Sequence, residues 1–294
     1  MRLLADRLAA RLMRWLVIAS GSLVFVMVAG LYLRSRPVLS TAPIWELLTS
    51  SEWRPLSGEF GLFPFIMGTL WVTVVAVAIA VPPSILSSLY LSEYAPRRVR
   101  EWSKPFIDLL AGIPSVVFGV WGVLVVVPFV KDHIAPAFGS FSTGYCVLSG
   151  GVVLAVMIVP VIVHVSLEVL GAVPREMKDA SLAVGATKWQ TARGVVMRKA
   201  LPGVIAAIVL GLSRAFGETM AVLMVVGNVP RAPGSVLDPA LPLPALIANN
   251  YGEMMSVPLY DSALLLACLV LLGVVLLFNV ASRLVLINVE RRTR

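Results

Sequence analysis

Apolar and polar positions do not alternate along this chain; the apolar residues run on in six blocks, at positions 16–33, 63–91, 109–130, 145–167, 201–229 and 263–282. A helix rises about 1.5 Å per residue, so about 20 apolar residues cross the roughly 30 Å of a bilayer's hydrocarbon. All six blocks suit that length. Five contain no Asp, Glu, Lys or Arg, and the remaining one, 201–229, carries Arg214 and Glu218. The pattern predicts an all-α polytopic membrane protein with six transmembrane helices. Basic residues precede the first block, as in a signal peptide, but no A-x-A cleavage site follows its long run, so it is expected to be retained.

The polar segments between the blocks set the orientation. Lys and Arg collect on the cytoplasmic side of a membrane. An N-terminus inside puts Arg2, Arg7, Arg11 and Arg14 in a cytoplasmic leader, with Arg97, Arg98, Arg100 and Lys104 between spans two and three. Arg175, Lys178, Lys188, Arg193, Arg198 and Lys199 then lie between spans four and five, and Arg283, Arg291, Arg292 and Arg294 in the tail. Only Arg34, Arg36, Arg54, Lys131 and Arg231 remain outside. Both termini are therefore expected in the cytoplasm. Composition agrees: 59% of the 294 residues are apolar and 14% charged, too little polar surface for a soluble domain and too much apolar side chain for a disordered one. The net charge of +8 then reads as topology-setting loops, with no nucleic-acid partner. Cys146 and Cys268 fall inside apolar runs and supply neither a disulfide framework nor a metal site.

The two long outer segments differ from the inner ones. Residues 230–261 hold six prolines, predicting a semi-rigid external connection that serves as a docking place or as a spacer. Residues 34–62 hold Trp45 and Trp53, expected as interfacial anchors. The division this suggests is a leader, first span and outer loop over 1–62, and a membrane core over 63–294.

Among the inner segments, 173–202 is too polar to span and too patterned for a linker. Residues 179–189 read as a short helix with Leu182, Ala186 and Trp189 on one stripe, and Ala180, Ser181 and Gly185 small enough for a partner's backbone to approach. Such a helix fits a partner's groove or lies on the bilayer surface. The segment resembles the EAA loop of ABC-importer permeases, E-A-A-x-x-x-G, which in that family docks onto the cytoplasmic ATPase. Asp179, Ala180, Ser181 and Gly185 take the matching positions, with Asp and Ser replacing Glu and the second Ala. The resemblance implies a coupling helix within 174–195, with Asp179, Ala180, Ser181, Leu182, Gly185, Ala186 and Trp189 as its contacts. Where the family places L-P, thirteen residues beyond the glycine for the proline, this chain has Met197-Arg198, and its Leu201-Pro202 comes four residues later.

The second constellation is the run from Arg214 to Val222. Thirteen residues, about 20 Å of helix, separate Leu201 from Arg214, and about 21 Å separate Arg214 from Asn228, which sets the charges near mid-membrane. An Arg at that depth costs about 2.5–3.5 kcal/mol on insertion scales, and such residues face a protein interior or a wet path. Arg214 and Glu218 are four apart and on a continuous helix would pair on one face. Two readings follow: an oxyanion competes with Glu218 for the guanidinium, whose planar fork suits phosphate oxygens, or the pair clamps two helices.

The surrounding residues resemble the permeases of high-affinity phosphate ABC importers of the PstC type. The resemblance rests on Tyr90-Leu91-Ser92-Glu93-Tyr94-Ala95, on Leu109 to Gly119 (LLAGIPSVVFG), on Gly185-Ala186-Thr187-Lys188-Trp189, and on the Arg214 to Val222 run ending at Gly227-Asn228. It implies type I ABC importer architecture, location in the cytoplasmic (inner) membrane, phosphate as cargo, and a substrate pathway through Arg214, Glu218, Thr219 and Asn228. It also implies three kinds of partner: a second, paralogous permease, a pair of ATPase subunits that use ATP and Mg, and a periplasmic or lipid-anchored phosphate-binding protein. The chain itself has no G-x-x-x-x-G-K-[ST] loop to cradle ATP and is read as a transporter subunit without a cofactor, not an enzyme. Alternatives are the paralogous A-type phosphate subunit, a permease for molybdate or sulfate, and, from another class, an ion-coupled carrier, which predicts paired broken spans in inverted repeats. Gly112 and Pro114 are expected to kink the third span as a gate or to allow close packing. His133 reads as solvated. His164 is expected to pair with Glu168, with no second acid to continue a proton relay.

Overall fold

The computed structural model describes residues 2–252 and 259–293; Pro258 of the outer loop and Arg294 of the tail lie outside them. Its elements are α1 (Arg2–Leu39), α2 (Ile44–Thr49), a two-stranded hairpin of β1 (Trp53–Arg54) and β2 (Glu59–Phe60), α3 (Phe63–Glu93), α4 (Arg97–Gly112), α5 (Ser115–Ala137) and α6 (Val147–Gly171). They continue with α7 (Arg175–Ala183), α8 (Lys188–Gly217), α9 (Met220–Val225), α10 (Leu243–Asn250) and α11 (Tyr260–Thr293). Among the described residues six helices are long and apolar enough to span: α1, α3, α5, α6, α8 and α11.

The centre of the bundle is α3 against α6, with α8 laid across them. Val72, Ala76 and Ala80 of α3, Leu154, Ile158 and Ile162 of α6, and Ala207 and Ala215 of α8 form one buried cluster. Lipid is as apolar as leucine, so close packing between helices, rather than escape from water, holds such a core together. Small residues make that approach possible. A side chain at Gly151 would collide with Val75, and a Cβ at Gly211 would lie 2.7 Å from Ile162 Cγ1. In contrast, α1 exposes Trp15, Leu16, Val17 and Phe25, an apolar surface suited to acyl chains or to another apolar helix.

A second cluster closes the proline-rich end. Val38, Phe60, Leu62 and Phe65 pack with Leu243, Leu246, Tyr260 and Leu264. Trp53 joins them edge-on to Phe60 and Phe65, at 5.6 and 5.0 Å between ring centroids. It is half-buried against this cluster, whereas Trp45 is exposed.

Three expectations need correction. The third span begins at Ser115, not at residue 109: Pro114 occupies the N-cap of α5 with extended backbone (ψ 139°), and Leu109 to Gly112 end a separate amphipathic helix, α4. The residue before a proline is pushed out of the α region, so the Ile113-Pro114 step ends one helix and opens the next. Gly112 and Pro114 thus mark a break before the span and not a kink within it. The fifth span begins at Lys188 and stops at Gly217, so 218–229 are not part of a straight helix. Finally, the outer loop is no mere spacer, because Ala240 to Leu246 are buried and α10 packs between α3 and α11.

Candidate functional site

The break after Gly217 decides where the buried charges go. Glycine costs a helix about 1 kcal/mol relative to alanine, and Glu218 leaves the helical region with ψ 125°. The chain restarts at α9, six residues that pack against α5 and α6. Because the helix does not continue, Arg214 and Glu218 do not share a face, and among the described residues no ion pair joins them. Each answers to a helix end instead. Arg214 lies in the last turn of α8, beside carbonyls without intrahelical donors, where a cation is favoured. Glu218 Oε1 accepts the backbone N–H of Ala221 at 3.2 Å, capping the start of α9.

The last turn of α8 is pinned to α11. Ser213 Oγ donates to Asn279 Oδ1 at 2.9 Å, and the Phe216 and Phe278 rings lie 4.7 Å apart. Arg214, beside these anchors, is half-buried and has no hydrogen-bond or ion-pair partner among the described residues. Glu218 lines a narrow cleft with Thr69 and Thr73 of α3 and with Pro242 and Pro244. Thr69 Oγ1 donates to Phe65 O at 2.8 Å and accepts the Leu243 N–H at 2.9 Å, which ties α3 to α10. These two hydroxyls went unnoticed in the sequence; two threonines four apart in an apolar span were the available signal.

The other expected pathway residues separate. Thr219 stands at the N-cap of α9, half-buried. Asn228 is exposed beyond the far end of α9, with φ 53°, and its Nδ2 donates to Leu223 O at 2.8 Å. It borders a different cleft, with Trp53, Asn249, Asn250 and Tyr260.

At the opposite, basic end, residues 179–189 are two helices and not one. Helix α7 stops in a Schellman motif: Gly185 takes φ +88°, its N–H reaches Leu182 O at 3.0 Å, and the Ala186 N–H reaches Ser181 O at 3.2 Å. Two residues later Thr187 opens α8 with a capping box, its hydroxyl accepting the Gln190 N–H while Gln190 Oε1 accepts the Thr187 N–H. The turn removes the single stripe of Leu182, Ala186 and Trp189, but leaves Asp179, Ala180, Leu182, Gly185 and Trp189 exposed on one protruding elbow, with Ser181 and Ala186 half-buried.

The histidines diverge. His133 is exposed and stacks on Phe129. His164 meets Glu168 at 3.6 Å and also Asp108 of α4 at 2.9 Å. That second acid comes from another helix, which spacing within one segment does not reveal. Cys146 is buried and Cys268 half-buried, both as free thiols.

Residues 84–294 match the family described as the binding-protein-dependent transport system inner membrane component. A probable ABC transporter permease protein YqgH of Bacillus subtilis is 38% identical over 88% of this chain and 84% of its own length. The phosphate transport system permease protein PstC of Xylella fastidiosa (strain 9a5c) is 39% identical over 83% of this chain and 79% of its own. A probable phosphate transport system permease protein PstC of Methanocaldococcus jannaschii is 30% identical over 88% of this chain and 86% of its own. Among solved structures, a chain of the MetNI methionine ABC transporter in an inward-facing conformation superposes with a TM-score of 0.60 at 21% identity, covering 78% of this chain and 95% of that one, which supports the fold. With its six spans, its helix-turn-helix elbow and these relatives, the chain belongs to the family of binding-protein-dependent transport system inner membrane components, multi-pass permeases of ABC importers.

Proposed function

We propose that this chain is the C-type permease subunit of an ATP-driven importer of inorganic phosphate, with both termini in the cytoplasm. In this reading a second, paralogous permease completes the pathway, a pair of ATPase subunits binds the elbow at Gly185, and a periplasmic or lipid-anchored phosphate-binding protein delivers the cargo. ATP and Mg belong to the ATPase subunits. Arg214 carries the reading: a half-buried guanidinium deep in the bundle with no partner among the described residues needs an anion from outside the chain, because an unpaired buried charge is costly. Its fork takes two phosphate oxygens at once. Glu218, committed to the N-terminus of α9, leaves the guanidinium free and adds a nearby negative charge that keeps the bound anion from being trapped. Thr219, at the same break, offers a hydroxyl. The relatives named as phosphate permeases support phosphate over molybdate or sulfate.

The test is uptake of radiolabelled phosphate by proteoliposomes holding the chain with its partner subunits and binding protein. Uptake should require ATP inside and resist excess sulfate or molybdate. ATP-independent uptake driven by an ion gradient, or equal competition by sulfate, would overturn the assignment.

A further inference from the structure

Glu93 and Lys178 stand 85 positions apart, yet Lys178 Nζ meets Glu93 Oε1 at 2.7 Å with side chains only 14% and 20% exposed. Every other ion pair among the described residues is at least 43% exposed on both sides. Glu93 is the last residue of α3, and Ser92 Oγ donates to the same carboxylate oxygen at 2.8 Å. Arg100 of α4 donates from Nε to Leu91 O at 2.8 Å and from its guanidinium to Ser92 O, so the terminal carbonyls of α3 are also gripped. One turn further along α7, the Ser181 and Thr191 hydroxyls lie 3.0 Å apart and tie the elbow to α8. The elbow is therefore fastened to the ends of two spans, one in the α3–α6 centre and one leading to Arg214.

Stability does not account for such a pair. Desolvating two ions offsets much of their attraction, and apolar replacements of similar volume often serve as well. What a short, shielded pair does supply is a fixed distance between two elements. We infer that Lys178 and Glu93 are positioning residues whose ion pair makes α3 follow the α7 elbow, converting movement of the docked ATPase into movement of the bundle centre. This rests on the reading that α7 is where the ATPase docks.

The experiment uses the complete transporter in proteoliposomes and reads phosphate uptake per ATP hydrolysed. Glu93→Gln and Lys178→Met should each co-purify the ATPase at the wild-type amount yet lower that ratio about fivefold or more, the range of typical coupling energies. The double variant should be no worse than the poorer single, as expected of one shared interaction, and Lys178→Arg should stay within about twofold because it keeps the charge. An unchanged ratio in the single variants, losses that multiply in the double, or uptake and hydrolysis falling together with the amount of assembled complex would overturn the inference. Gly185→Arg separates the two levels. Retained ATPase co-purification there refutes docking through α7 and removes the strut with it, whereas lost co-purification beside unchanged ratios in the pair variants removes the strut alone.

Discussion

Replacing Arg214 by Gln separates two pictures of the buried charges. If Arg214 and Glu218 were partners, removing one would strand the other in low dielectric and cost about 3–5 kcal/mol in thermal unfolding. The structure gives Glu218 its own partner, the Ala221 N–H at 3.2 Å, and Arg214 none among the described residues. Arg214→Gln should therefore lower thermal stability by no more than about 1 kcal/mol, the reach of the helix-end interaction that it gives up. Transport should respond quite differently. A charged hydrogen bond contributes about 1.5–3 kcal/mol, so losing the guanidinium's grip on phosphate should cut uptake at limiting phosphate about ten- to hundredfold. Arg214→Lys should fall between, keeping charge without the planar fork. The stability effects of Arg214→Gln and Glu218→Gln should add, because the two groups do not touch. Thermal unfolding of the purified complex and concentration-dependent uptake measure both sides. A strong interaction energy in the stability cycle, or wild-type uptake by Arg214→Gln, would refute the reasoning.

Two further outcomes follow from the same geometry. At Gly185 an added Cβ meets nothing within 4 Å, so the penalty for Gly185→Ala is purely backbone, about 1–2 kcal/mol for φ +88°; ATPase co-purification should weaken with Ala and be largely retained with Asn, which tolerates that conformation. Thr69→Val should strip the Leu243 N–H of its buried acceptor and cost about 1–3 kcal/mol in thermal unfolding, while Thr69→Ser should keep most of that stability.

The spans were legible because a long apolar run has few alternatives in water or lipid, and α3 and α6 follow residues 63–91 and 145–167 closely. Helix ends inside apolar sequence were not. Pro114 and Gly217 both announce weakness in a helix, but hydropathy averages over the step where the chain turns, so both spans were drawn too long at their breaks. The elbow failed for a related reason. Leu182, Ala186 and Trp189 keep helical spacing straight through Gly185, and only the stop at Gly185 followed by the Thr187–Gln190 start betrays the turn. Partners far apart in the chain, such as Glu93 with Lys178 or Asp108 with His164, follow from tertiary packing and leave no local pattern.

The helices that open after the two breaks, α5 and α9, pack against each other. A Cβ on Gly119 would lie 2.6 Å from Met224 Sδ and 3.2 Å from Ala221 Cα, and one on Gly122 would lie 2.6 Å from Val153 Cγ2 and 2.8 Å from Val225 Cγ1. Helices α5 and α9 thus meet along a tight seam at these positions. Interrupted backbone at membrane depth persists only where protein buries it or a wet cavity lines it, and Glu218, at the second break, lines the narrow cleft with Thr69, Thr73, Pro242 and Pro244. The glycines that close the seam should not be equivalent. Met224 is unbranched and can swing aside from a new methyl at Gly119. Val153 and Val225 are stiff at χ1 and flank Gly122 from two helices. Gly122→Ala should therefore cost about 1–3 kcal/mol by overpacking, and Gly119→Ala clearly less. Thermal unfolding of the two variants gives the order, and a larger loss at Gly119 would show that α9 is held more rigidly against α5 than its methionine suggests.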